Sequence, residues 1–208
     1  MIIFQAESVV HGVNTLLALP YFAEQPQQGS PRLGVVFDID DTLVCRDPAG
    51  REFPIRDVVR LYRACVLCGM VPLVVTARTY ATKPKTSYPS ARSQIKEVHR
   101  MFHRLRLPLP EYLALRPEGL DDGSVTGIAR TKSRCRQHLA TASGATIVGS
   151  VGDQVWDHTV MLPQLAAKLR KAHLHRARRR VEKSDGPGAG CFVGLGSDGR
   201  FFLKLPET

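Results

Sequence analysis

The sequence predicts a three-layer α/β/α fold with a mainly parallel sheet and a C-terminal β-hairpin. Three observations predict it. Short runs rich in β-branched residues alternate with stretches of helical spacing. Those runs are apolar throughout rather than alternating, as strands buried on both faces are. Near the C-terminus two apolar runs flank a turn-forming tripeptide.

The elements follow in order. Met1 to Ala23 reads as one or two helical turns leading into the apolar run Leu16 to Leu19, and Glu24 to Pro31 as a loop. Leu33-Gly34-Val35-Val36-Phe37 is the first buried strand. Residues 54–69 have helical spacing, with Ile55, Val58, Val59, Tyr62 and Val66 on one side. Pro54 suits the first turn and Gly69 the stop. Val71 to Val75 is the next strand and Thr79 to Pro89 a polar loop. A helix over 90–106 presents Ile95, Val98, Phe102 and Leu105. Leu113-Ala114-Leu115 is a third strand, 128–142 a basic helix and Ala145 to Val151 a fourth strand. Residues 160–183 read as a helix broken by Pro163, before the linker Gly186-Pro187-Gly188. Cys191 to Leu195 and Arg200 to Leu205 flank Ser197-Asp198-Gly199 as a hairpin. The expected organisation is an N-terminal extension (1–31), a catalytic core (32–183) and a hairpin packed on it (184–208).

A chain of 208 residues can bury a core without disulfides or a structural metal. No apolar run reaches the roughly 18–20 residues of a membrane-spanning helix. The N-terminus lacks a basic stretch, and Glu7, His11 and Asn14 interrupt it, so a signal peptide is not expected. The five cysteines are odd in number, and Cys65-Val66-Leu67-Cys68 has no second ligand pair at zinc spacing. Both suggest core thiols in a reducing, cytoplasmic compartment. The net charge is +10, and the window 168–183 holds eight Lys/Arg against one Glu. That window suits nucleic acid or an acidic partner; its plain alternative is a solvated helix face.

In a parallel sheet, chemistry collects beyond the carboxyl ends of the strands. Four features fall there: Asp38-Ile39-Asp40-Asp41-Thr42-Leu43, Thr76-Ala77-Arg78, Lys132, and Gly152-Asp153-Gln154-Val155-Trp156-Asp157. Cleaving a phosphate ester needs a nucleophile, a proton donor and charge neutralisation at the phosphoryl group. Asp38 and Asp40, two residues apart, point the same way and can supply the first two. A hard divalent cation held by oxygens would screen their repulsion. Asp153 offers a further oxygen, Thr76 a hydroxyl and Lys132 a cation, with Lys96 and Arg130 as rival cations.

These motifs, in this order, resemble the haloacid dehalogenase superfamily of phosphatases, in its acid-phosphatase-like branch with a minimal cap. VVFDIDDTL is similar to its first motif, VVTAR to its second, Lys132 to its third and GDQVWD to its fourth. The resemblance covers about residues 32–158 and implies a Rossmann-like, haloacid-dehalogenase-type fold. It implies Asp38 as nucleophile, forming an aspartyl-phosphate, and Asp40 as acid–base. It implies Mg2+ on the Asp38 side chain, the Asp40 backbone carbonyl and Asp153. Thr76, Ala77 and Lys132 would hold the phosphate, with Thr42, Asp157 and Arg78 in support. The expected activity is a magnesium-dependent phosphomonoester hydrolase on a small or macromolecular substrate. The alternatives are a phosphotransferase using the same intermediate, and a non-catalytic nucleic-acid-binding module on the same scaffold. Leu43 to Pro54 reads as a short loop, leaving no room there for a large cap.

Overall fold

The structure is a computed structural model and describes residues 2–23, 29–84, 86–154, 157, 191–195 and 200–206. The expected helix over 160–183 with its basic window, the Gly186–Gly188 linker and the turn at 197–199 lie outside the described residues. The elements are β1 (Ile2–Ala6), α1 (Val9–Leu17), α2 (Pro20–Ala23), β2 (Leu33–Phe37), β3 (Val44–Arg46), β4 (Glu52–Pro54) and α3 (Arg56–Leu67). Then come β5 (Val71–Tyr80), α4 (Ala91–Arg104), β6 (Tyr112–Pro117), α5 (Val125–Ser143), β7 (Thr146–Gly152), β8 (Cys191–Leu195) and β9 (Phe201–Lys204).

Among the described residues seven strands form one sheet in the order β1-β8-β9-β7-β2-β5-β6. Neighbours from β9 through β6 run parallel, and β8 is antiparallel to both β9 and β1. The result is a mixed α/β, Rossmann-like fold whose central sheet is mostly parallel. The register sets Phe37 beside both Val74 and Val151. Asp38, Thr76 and Asp153 therefore leave the sheet at one edge, the place where such sheets gather polar groups.

The strands alternate their side chains between two apolar clusters. Val35 and Phe37 of β2 join Val58, Leu61, Tyr62, Val98 and Phe102 from α3 and α4. Val36 joins Leu73 and Val75 of β5 and Leu139 of α5. Tyr62 packs between the rings of Phe37 and Phe102, with centroids 5.1 and 5.6 Å away. Cys65 is buried in the larger cluster, where burial pushes its thiol up, and all five cysteines are free. Cys68, partly buried, packs against the same cluster. No described helix is long and apolar enough to cross a membrane.

Four differences from the sequence reading have physical causes. Residues 2–6 form a strand rather than helical turns, because β8 offers them an open edge far away in sequence. The helix then begins at Val9, where the Ser8 hydroxyl caps it by accepting from the His11 N–H at 3.2 Å. The expected loop at 43–54 is a two-stranded hairpin, β3–β4. Its turn is built by Asp47, whose side chain accepts from the Arg51 N–H at 2.8 Å, and by Gly50 at φ 76°. Pro54 ends β4 and Ile55 stays extended, so α3 starts two residues late. Lastly, β5 runs on to Tyr80 because β6 pairs with Thr79 and Tyr80 beyond a break in register.

Candidate active site

Asp38 continues β2 by one residue: its N–H donates to the Val151 carbonyl at 3.0 Å. The chain then turns sharply. Three successive amides, of Thr42, Leu43 and Val44, donate to the Ile39 carbonyl at 3.2, 2.8 and 3.1 Å. Asp41 takes the left-handed conformation, φ 55°, which aspartate tolerates. Asp38 is left buried at the strand tip, and Asp40 is carried toward β5.

β7 ends at Gly152, Asp153 follows it directly, and Asp157 faces Gly152. The Gln154 N–H donates to Asp157 Oδ2 at 3.2 Å, and the Asp157 N–H to the Gln154 carbonyl at 3.0 Å. A Cβ at residue 152 would overlap the Asp157 carboxylate. Glycine is required there by close approach, not by conformation. Gln154 Nε2 donates a short bond to Asp153 Oδ2.

The helix α5 brings cations to these acids. Lys132 Nζ lies 3.0 Å from Asp38 Oδ1 and donates to Asp157 Oδ1 at 2.8 Å. One turn later, Arg136 Nη2 reaches the same Asp157 oxygen at 3.4 Å. Asp38, Lys132, Arg136 and Asp157 are all buried. One oxygen each of Asp38, Asp153 and Asp157 can lie within 4.8 Å of the others, so the trio could hold a metal ion. The donor set is all carboxylate oxygen, which fits a hard divalent cation.

Burial raises the Asp38 carboxyl to about 7, although Lys132 opposes the rise. Burial and then the charge of Asp157 raise Asp153 to about 6. Burial works against the charge on Lys132, but Asp38 and Asp157 outweigh it and hold the ammonium above its ordinary value. These carboxylates favour a positive neighbour at every vertex.

A second group sits beside the first. Arg78 Nε and Nη2 donate to Asp40 Oδ2 and Oδ1 at 2.9 and 2.8 Å. Arg78 Nη2 also donates to Glu52 Oε1 at 3.0 Å. Glu52 takes Arg46 at 3.1 Å and Arg104 at 2.5 Å as well. Burial of Glu52 is outweighed by its hydrogen bonds from Arg46 and Arg78, which keep its carboxyl below the usual value.

Six of the sequence-selected residues, Asp38, Asp40, Arg78, Lys132, Asp153 and Asp157, fall into these two groups. Asp38, Asp153, Asp157 and Lys132 converge, while the Asp40 side chain points to Arg78 and lies outside the carboxylate trio. Thr76 is buried on β5, its Oγ1 accepting from the Arg78 N–H at 3.2 Å, with half-buried Ala77 between them. Thr42 is buried, and among the described residues its Oγ1 finds no hydrogen-bond partner. Lys96 and Arg130 are exposed, so neither takes the place of Lys132. Sequence reasoning missed Glu52, Arg46, Arg104 and Arg136. The signal for Glu52 was the Asp-Pro-Ala-Gly turn in the supposed loop. The signal for Arg136 was its position four residues after Lys132, on the same helix face.

No family model matches the chain, and no curated protein matches it. Among solved structures it is similar to a chain in the "Structure of Pnkp1/Rnl/Hen1 complex", with a TM-score of 0.45 and 14% identity. That similarity covers 72% of this chain, which spans 47% of the other.

Proposed function

We propose that the chain is a magnesium-dependent phosphomonoester hydrolase of the haloacid dehalogenase type, working through an aspartyl-phosphate on Asp38. The observation that carries this reading is the buried convergence of Asp38, Asp153 and Asp157 with Lys132, at the carboxyl ends of adjacent parallel strands. Burying three acids together is costly unless cations share the space. The identity Mg2+ rests on the oxygen-only donor set, and Asp38 and Asp153, with the Asp40 carbonyl, would hold it. Bound there, it would neutralise charge on the phosphoryl group.

The chain's own groups account for the remaining steps. An Asp38 oxygen attacks phosphorus and the bond to the ester oxygen breaks. Asp40, a carboxylate held by Arg78 in the resting site, must take up a proton before the reaction and gives that proton to the departing oxygen. It then takes a proton from water, whose oxygen attacks the phosphorus and frees Asp38. Arg78 holds Asp40 in one orientation through both carboxylate oxygens. Lys132 faces the developing charge, and Asp157 keeps that ammonium in place. Thr76 adds its hydroxyl and Ala77 its backbone to the phosphate cradle.

The test is hydrolysis of p-nitrophenyl phosphate with Mg2+ and with chelator, alongside Asp38→Asn. Activity should need the metal and vanish in a folded Asp38→Asn variant, and mass spectrometry of quenched enzyme should find phosphate on Asp38. Full turnover by that variant would refute the reading.

A further inference from the structure

Arg136 is among the largest side chains that are wholly buried, and it sits next to the carboxylate trio rather than in it. Among the described residues its one polar contact is Nη2 to Asp157 Oδ1 at 3.4 Å, while Nε and Nη1 find no partner. Buried donors without partners are destabilising, and an apolar side chain of similar length would fill the space without that cost. Packing therefore does not account for an arginine here. What distinguishes arginine is its charge: burial pulls the Arg136 pKa below its ordinary value while Asp157 and Asp38 oppose the fall, and a guanidinium starts high enough to stay a cation.

The cluster's formal charge shows what that unit does. Among the described residues, Asp38, Asp153 and Asp157 against Lys132 and Arg136 leave one formal negative charge, and whatever else Asp157 meets, removing Arg136 makes the site one unit more negative. A divalent cation turns this to one positive charge, and a phosphate dianion returns it to one negative. With Arg136 neutral, the same states carry two negative charges, none, and two negative. The metal would be held more tightly and the phosphate more weakly.

We propose that Arg136 is a positioning residue that acts through Asp157 to balance the site between its cation and its phosphate, weakening the first and strengthening the second. The proposal rests on the phosphohydrolase reading above. It applies to any phosphate-bearing ligand of the site, since the balance concerns the phosphoryl charge alone.

Isothermal titration tests it on the full chain with two probes: Mg2+ into metal-free protein, and inorganic phosphate into Mg2+-loaded protein. Arg136→Met and Arg136→Gln should bind Mg2+ about tenfold more tightly and phosphate about tenfold more weakly. That is the order expected for one unit charge several ångströms away, in a medium between protein and water. Arg136→Lys keeps the charge and should stay near wild type for both. Arg136→Met also removes the two unpaired donors, so its thermal midpoint should not fall far. An Arg136 that merely props up α5 would move both affinities in one direction or neither. Unsplit affinities in the neutral variants, or Arg136→Lys behaving like them, would overturn the proposal while leaving the phosphohydrolase reading intact. Wild-type protein that binds neither probe would overturn both.

Discussion

Arg78 and Asp40 meet as two parallel forks, Nε to Oδ2 at 2.9 Å and Nη2 to Oδ1 at 2.8 Å. Burial of Arg78 disfavours its charge, but the hydrogen bonds and charge of Asp40, then Glu52, hold the guanidinium above its ordinary pKa. The pair ties the turn after β2 to the end of β5, and Glu52 ties both to the β3–β4 hairpin.

Lysine cannot reproduce a planar two-point grip. Arg78→Lys should therefore let Asp40 swing while leaving Asp38 and Lys132 in place. The expected result is a fall in kcat of about a hundredfold, the cost of a misplaced catalytic group, with KM changed far less. Steady-state kinetics on p-nitrophenyl phosphate separates the two.

The raised carboxyls give the metal-free protein a signed pH dependence. Asp38 at about 7 and Asp153 at about 6 keep protons in the folded state that the unfolded chain releases near 3.8. Their contribution to stability therefore falls as pH rises from about 4 to about 7. Asparagine at residue 38 cannot ionise, so the midpoint of Asp38→Asn minus that of wild type should grow more positive across this window. Thermal melts in chelator measure it. Added Mg2+ should raise the wild-type midpoint more near pH 7.5 than near pH 5, because its ligands must be deprotonated.

Lys132 is the cation shared by Asp38 and Asp157. Lys132→Met leaves two buried carboxylates short of a partner, and loss of such a partner costs about 3–5 kcal/mol. Urea titration in chelator near pH 7.5 should show it. The loss should shrink near pH 5, where Asp38 takes up a proton instead.

Gly152→Ala tests the seat of Asp157, since its methyl group would overlap that carboxylate. The expected cost is about 1–3 kcal/mol, as for other overpacked sites. Activity should fall by at least about tenfold as Asp157 is pushed off Lys132. Gly144→Ala is the control. Gly144 caps α5 at φ 63° with open space around it. That change should cost about 1 kcal/mol and leave kcat unchanged.

Much of this was readable from the chain because local pattern and tertiary role coincide. Leu33 to Phe37 had to be buried on both faces, and an acid directly after such a strand had to sit at its tip. The same logic located Asp153 after β7 and set Lys132 on a helix returning to them. What the pattern hid was long-range or irregular. The pairing of residues 2–6 with β8 has no local signature. Glu52 lay in a stretch whose turn chemistry was passed over, so the tether on Arg78 went unseen. Arg136 looked like one more basic residue in a basic helix, and only burial sets it apart. The direction of the Asp40 side chain depends on Arg78 extending from a strand that outran its apolar core.

The strand that leads into Asp153, β7, has β2 on one side and β9 on the other. On a ribosome, β7 emerges well before residues 201–204 do. A nascent chain stalled between them would already hold every acid of the pocket, yet one flank of β7 would stand bare and open to wrong partners. The parallel sheet under the pocket is thus completed late in synthesis, by a segment that supplies none of the three acids.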